Sequence, residues 1–447
     1  MSGDDAPAAP QRGINVRSIG RALRHRNYRL FFSGQSISLI GTWLTRIATS
    51  WLIYRLTGSE LLLGVLGFAG QIPTFLLAPL AGVLVDRWDR HRVLVVTQVL
   101  AMIQSGLLAA LALAGVIQVW HVVALSVLQG IVNAFDMPAR QALVVEMVED
   151  RADLPNAIAL NSSMVNAARL LGPSIAGVLI ASVGEGYCFL VDAVSYLAVI
   201  ASLLLMRLPA RDVAPRTARV LADFKEGFFY AAESRAIRSV LLLLAVVSLM
   251  GTPYTVLLPV IAKQVLGGGA STLGLLTAAS GLGALGGAIY LASRQTVLGL
   301  GRVIVISTAV FGAGLIAFSR VSVLWLSLPL MFLTGGGMML QMAASNTILQ
   351  TIVEEDKRGR VMSLFAMAFF GTVPFGSLIA GVLATRLGAE NTILVGGAVC
   401  LVASLVFLRQ LPGLRRSVRP IYVKMGILPE IAEGIDAASY LARPPEQ

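Results

Sequence analysis

Charge is scarce in this sequence. Asp, Glu, Lys and Arg make up 13% of its 447 residues, about half the roughly 25% usual in a soluble domain. Cysteine and histidine are scarcer still, with two and three copies. Cys188 and Cys400 lie in or beside apolar runs far apart in the chain, which gives no support to a disulfide scaffold. Two cysteines without clustered histidines do not make a metal site. His25, His91 and His121 all fall at the edges of apolar runs, so a buried histidine proton relay is not expected. None of the four lysines follows a glycine, as the phosphate-binding loop of an ATP-driven pump demands. H-E-x-x-H and G-x-S-x-G are both missing, which leaves a membrane enzyme without a motif. No cofactor and no metal are expected.

Apolar sequence is abundant, at 56% of residues. It gathers into twelve runs, at about 30–54, 59–85, 93–115, 119–140, 157–183, 187–207, 239–262, 271–293, 302–319, 322–346, 359–385 and 389–409. Each can span a bilayer core of roughly 30 Å once tilt is allowed. Backbone polar groups in lipid must be paired within the segment, so runs of this length favour a helical bundle over a barrel. The formal charge of +11 is not spread as a nucleic-acid patch would be. With a cytoplasmic N-terminus, 29 of the 35 basic residues fall on the cytoplasmic side. Four (Arg55, Lys263, Arg320, Arg386) fall outside, and Arg46 and Arg169 fall within runs. That bias places both termini in the cytoplasm by the positive-inside rule. The first run follows a basic leader but is long and lacks a small-residue cleavage site, so it reads as an uncleaved helix.

Along the chain, residues 1–28 form a basic N-terminal segment, unstructured up to about Ser18. The first run carries Gln35, Ser38, Thr42, Arg46 and Thr49 at helical spacing, one polar face. A central arginine costs about 2.5–3.5 kcal/mol to insert. Arg46 therefore faces protein or a water-filled cavity, or else snorkels to the outer interface. The fourth run repeats the stripe with Gln129, Asn133, Asp136 and Arg140. Asp136 is a proton or substrate group, or half of a structural i, i+4 pair with Arg140. In the fifth run, Arg169 precedes Gly172-Pro173, where proline should bend the helix, and Gly172, Ala176 and Gly177 admit a close neighbour. Asp192, a few residues inside the sixth run, is either solvated at the interface or a proton carrier.

Residues 208–238 are the longest polar stretch and divide the chain into halves at 29–207 and 239–409, with a tail at 410–447. The halves echo one another. Leu63-Gly-Val-Leu matches Leu273-Gly-Leu-Leu, Glu149-Asp150-Arg151 matches Glu355-Asp356-Lys357, and Ile175-Ala-Gly-Val-Leu179 recurs as Ile379-Ala-Gly-Val-Leu383, at offsets of 210, 206 and 204. Ordered matches at nearly one offset indicate duplication. The expected fold class is an all-α polytopic membrane protein, with twelve transmembrane helices in two six-helix pseudo-symmetric halves.

Between the second and third runs stands Gly82-Val-Leu-Val-Asp86-Arg87-Trp-Asp89-Arg90-His91-Arg92. This stretch resembles the signature loop of the major facilitator superfamily, and the resemblance extends over residues 20–410. Phe135-Asp136-Met-Pro138-Ala-Arg140-Gln141, Arg169-Leu-Leu-Gly172-Pro173 and Arg358-Gly-Arg360-Val-Met-Ser363 resemble the bacterial branch that includes enterobactin and macrolide exporters. The resemblance implies a conformational latch at Gly82, Asp86, Arg87, Arg90 and Arg92, with Asp86 capping the eleventh helix. It also implies an antiporter-like kink at Gly172, Pro173 and Gly177, although Ala168 and Ala176 replace two of that motif's glycines. Ser126 stands where proton-coupled exporters often carry an arginine.

The function expected is proton-coupled efflux of an amphipathic small molecule, drug-like or siderophore-like, by alternating access in the bacterial inner membrane. Gln35, Thr42, Arg46, Thr49, Gln129, Asn133 and Arg169 would line the substrate pathway, with Asp136 and Asp192 as proton carriers. The expected partners are the substrate, protons and the bilayer, without nucleic acid, and the protein would act as a monomer. An uptake permease or a lysophospholipid flippase would share the fold. A sensor would need a signalling domain longer than the tail.

Overall fold

A computed structural model describes residues 20–207, 220–294 and 296–424. The expected unstructured leader up to Ser18, the middle of the linker and the last part of the tail lie outside the described residues. The first half contains α1 (Arg26–Thr57), α2 (Glu60–Arg87), α3 (Arg90–Leu113), α4 (Val119–Met147), α5 (Leu154–Val183) and α6 (Glu185–Leu204). A linker helix, Val220–Glu233, leads into the second half. There follow α7 (Arg235–Val265), α8 (Ala270–Ala292), α9 (Leu300–Phe318), α10 (Leu324–Ile352), α11 (Glu355–Leu387) and α12 (Ala389–Lys424). Eleven of these helices, α2 to α12, are long and apolar enough to cross a membrane. Helix α1 has the length, but its polar face lowers its mean hydropathy.

Local chemistry sets several of the boundaries. Gly58 ends α1 in the left-handed region, at φ 62°, a conformation open to glycine at no steric cost. One residue later the Ser59 hydroxyl accepts from the Leu62 amide at 3.3 Å and starts α2. The Asp89 carboxylate accepts from the amides of His91 and Arg92 and starts α3. Helix α12 runs to Lys424, well beyond the apolar run that ends near 409. Its extension is amphipathic, with Leu411, Leu414 and Val418 buried at spacings of three and four while Arg415, Arg416 and Arg419 are exposed.

Within the first half α1 packs on α5 and α6, α3 on α4 and α6, and α2 on α4. In the second half α10 packs on α8 and α9, and α12 on α7 and α9. Two seams join the halves, α2 with α11 and α5 with α8. Both are made by the repeated sequence. A Cβ on Gly64 would lie 2.8 Å from the Gly381 Cα, and one on Gly274 would lie 3.0 Å from the Gly177 Cα. Gly64 and Gly274 are the glycines of one repeated motif, Gly177 and Gly381 those of another. Each seam is therefore the same glycine pair, reached from opposite halves.

The seams occupy one end of the bundle. There a continuous apolar core crosses between the halves, from Leu52, Leu63 and Phe189 to Leu257, Leu273 and Ile393. At the signature-loop end, Tyr28, Phe31, Leu94, Leu143 and Leu203 form a separate core belonging to the first half alone. The face of α2 that meets α11 at Gly64, Phe68 and Phe75 continues into Ala78 and Pro79, which are exposed, and Gly82, where an added Cβ would touch nothing within 4 Å. On α11 the neighbouring Met367 and Phe370 are also exposed. The halves are thus closed at one end and parted at the other.

Candidate substrate pathway and coupling site

Asp192 stands at the junction of α1, α3 and α6. It is 1% exposed, so it is an interior group and not an interfacially solvated one. Its Oδ2 accepts hydrogen bonds from the Thr45 hydroxyl at 2.7 Å and the Ser105 hydroxyl at 2.6 Å. Its Oδ1 is buried without a hydrogen-bond partner among the described residues. A Cβ on Gly41 would lie 2.6 Å from that oxygen, so α1 closes over it because Gly41 has no side chain. No cation lies within ion-pair distance of Asp192 among the described residues. A carboxyl held this way has a place for a proton and no counter-ion for a charge.

Asp136 has the opposite environment. Its Oδ1 accepts from Thr97 Oγ1 at 3.1 Å and Gln98 Nε2 at 2.6 Å, and its Oδ2 pairs with Arg140 one turn on. Two donors from α3 and a guanidinium from α4 engage this carboxylate, and so tie α3 to α4.

The two intramembrane arginines meet at a residue the sequence did not single out. The guanidinium carbon of Arg46 stands 5.1 Å from the Trp43 ring centroid, and that of Arg169 stands 5.7 Å from the same centroid. Gly172 makes this possible, because a Cβ there would collide with the Trp43 Cβ. Neither arginine has a carboxylate within 4.0 Å or a hydrogen bond among the described residues. Arg46 is exposed although it lies midway along α1, so it opens on the space between the halves and does not snorkel. Arg169 lies within electrostatic reach of Tyr254 on α7, whose hydroxyl is 3.0 Å from that of Ser280 on α8.

Pro173 lies inside a continuous α5 and not at a break. It removes the amide that would bond to the Arg169 carbonyl. Gly281 of α8 approaches that carbonyl, with an added Cβ at 3.3 Å. Of the residues expected to kink the helix, Gly172 and Gly177 admit close approach on two sides, Gly172 toward α1 and Gly177 toward α8.

The remaining stripe residues divide. Gln129 donates to Asn133 at 3.1 Å along α4, and Asn133 is exposed. Gln35 and Thr49 are buried, and Thr42 is half-buried with its hydroxyl 3.4 Å from that of Tyr196 on α6. Gln35 and Thr49 are covered and Thr42 meets α6, so none of the three is open in this conformation. In the signature loop, Asp86 is exposed and pairs with Arg90 at 2.7 Å, and Arg90 also holds Glu146 at 2.7 Å. Arg92 pairs with Asp89 at 3.3 Å, and Arg87 is exposed. Asp86 makes no bond to the start of α11 among the described residues. That start is tied instead to the linker helix, by Arg360 with Glu226 and by Lys357, 4.7 Å from the Tyr230 ring centroid.

Trp43, Thr45, Ser105 and Tyr254 were missed in the sequence. For Trp43 a signal existed, since it lies three residues before Arg46 on one helix. For Ser105 none did, because one serine in an apolar run carries no partner with it.

Comparison with known proteins gives concordant results. The profile of a major facilitator family described as "Transmembrane secretion effector" matches residues 20–418. The staphyloferrin A transporter of Staphylococcus aureus is 24% identical over 85% of this chain and 95% of its own length. The multidrug efflux pump Tap of Mycolicibacterium fortuitum is 27% identical over 79% of this chain and 88% of its own. Among solved structures, a bacterial homologue of the human lysosomal transporter Spinster, inward-facing and unoccupied, superposes with a TM-score of 0.64. It is 16% identical over 90% of this chain and 98% of that one.

Proposed function

This chain belongs to the transmembrane secretion effector family of the major facilitator superfamily, a multi-pass membrane transporter and not an enzyme, and from that membership we propose that it exports an amphipathic small molecule in exchange for protons. The signature-loop end is the cytoplasmic end, because the basic loops gather there. The cleft then opens inward, ready to load cargo from the cell, and the protein works as a monomer in the bacterial inner membrane. Rocking of the halves about the two glycine seams would close this end and open the other. The efflux and siderophore-transport names of two relatives support small-molecule export.

The observation that carries the coupling is Asp192, a buried carboxyl served by two hydroxyls and no cation. Asp136, the other candidate, is engaged by Arg140 and two α3 side chains, which supports a bracing role. Proton transfer at Asp192 would alter the bonds that tie α1 to α3 and α6, and so bias the rocking.

The test is transport in proteoliposomes with the signature-loop face outward, an acidic lumen and a panel of labelled amphipathic compounds. One proton per neutral cargo gives about tenfold accumulation per pH unit, from 1.4 kcal/mol per decade. Asp192→Asn should abolish gradient-driven accumulation while cargo exchange without a gradient continues, which separates lost coupling from lost folding. Accumulation that still follows the gradient in Asp192→Asn would sink Asp192 as the carrier. Wild-type transport indifferent to the gradient, or confined to lysolipids, would replace the antiport reading with facilitated diffusion or lipid flipping.

A further inference from the structure

Trp43 is the shared neighbour of two guanidiniums, so the Arg46 and Arg169 carbons are held within about 11 Å of one another. Arg169 lies inside a helix long and apolar enough to cross a membrane and Arg46 lies midway along the 32-residue α1, and neither has a counter-ion or hydrogen-bond partner among the described residues. Such groups are costly in a membrane and are ordinarily paired. The nearby acids do not serve them. Asp136 is taken by Arg140, and Asp192 is bonded to Thr45 and Ser105. The indole partly compensates the two cations through its ring, which leaves the guanidinium N–H edges free.

From this we infer that Arg46, Trp43 and Arg169 form an anion subsite for cargo carrying at least two acidic groups, carboxylates above all. An acid placed between the arginines replaces a repulsion between like charges with two attractions. It also supplies the bidentate acceptor that guanidinium geometry fits. The position suits the task. Arg46 opens on the cleft, and Arg169 reaches the second half, with its carbonyl against Gly281 and its charge near Tyr254. A dianion here would bridge elements that move relative to one another. Trp43 is a positioning residue, since its ring orients both arginines.

This inference rests on the transporter reading but not on proton coupling, and the experiment keeps them apart by measuring binding without a gradient. The full chain in nanodiscs of zwitterionic lipid is titrated with carboxyfluorescein, an amphipathic polyanion, and with rhodamine 6G, a cation on the same ring skeleton. Fluorescence anisotropy is read at low and moderate salt. Carboxyfluorescein should bind wild type at least tenfold more tightly than Arg46→Gln or Arg169→Gln, and more weakly as salt rises. Arg46→Lys and Arg169→Lys should keep part of the affinity, because they keep the charge and lose the fork. Trp43→Ala should weaken the anion, whereas Arg386→Gln, on an exposed residue at the closed end, should not. Equal binding of the two dyes to wild type, or undiminished carboxyfluorescein affinity in both glutamine variants, would overturn the subsite. Loss of gradient coupling with anion binding intact would overturn only the antiport reading.

Discussion

Replacing Gly64 by valine tests whether the glycine seams set the balance between the two states of the cleft. The new Cβ would lie 2.7 Å from the Ser377 carbonyl oxygen and 2.8 Å from the Gly381 Cα. Carbon contacts are optimal at about 3.5–4.0 Å, so α2 must withdraw from α11 by roughly 0.7 Å before the two methyl groups are counted. Both obstacles are backbone and cannot rotate away. Overpacking of this kind costs about 1–3 kcal/mol. The penalty falls only on the conformation in which this end is closed, so it acts as a differential free energy of roughly 5- to 150-fold in the ratio of the two states. Spin labels at Val116 and Val323, exposed in the α3–α4 and α9–α10 loops of the closed end, report that ratio as a distance distribution. Gly64→Val should add a longer distance that wild type lacks. Gly274→Val should do the same through the second seam, where its Cβ would lie 2.5 Å from the Pro173 carbonyl oxygen. Gly106→Val is the control for helix propensity, since nothing lies within 4 Å of its Cβ. Combining Gly64→Val with Gly381→Ala should cost less than the sum of the two, because one withdrawal relieves both. An unchanged distribution in a folded Gly64→Val protein would refute the argument that these contacts hold the end shut.

Two further outcomes are expected from the packing. The Ser248 hydroxyl donates to the Phe369 carbonyl and so joins the widened turns Val247–Gly251 of α7 and Met367–Gly371 of α11. Ser248→Ala should leave that carbonyl only the Thr372 hydroxyl at 3.4 Å, cost about 0.5–1.5 kcal/mol and lower the apparent melting temperature; an unchanged melt would show that the contact contributes nothing. Leu411 is 4% exposed and packs against Gly301 of α9. Leu411→Ala should destabilise by about 2–5 kcal/mol in thermal unfolding, with transport per folded molecule unaltered, and a negligible change would refute docking of the α12 extension.

Much of the candidate site was legible residue by residue, and little of it as a constellation. Arg46 and Arg169 stood out because charge inside an apolar run is expensive, yet the two lie more than a hundred residues apart and nothing in either run names the other. The stripe on α1 was read as one cavity-facing surface. In the structure Arg46 opens on the cleft, while Gln35 and Thr49 are covered and Thr42 meets Tyr196. Helical spacing fixes the angular position of a side chain on its own cylinder. It does not say which neighbour covers that angle.

The sequence by itself determined the class of the molecule. Runs of spanning length and paired backbone polarity require helices, and the repeated Leu63 and Ile175 motifs require two related halves. It also held the seams, since the glycines of each repeat are the ones that meet. Only the tertiary structure decided the rest. It paired Asp136 with α3, left Asp192 without a counter-ion and brought two arginines to one tryptophan. It also opened the signature-loop end and closed the other. Those outcomes depend on contacts between helices remote in sequence, where lipid and protein offer equally apolar surroundings and a pattern along one helix does not distinguish them.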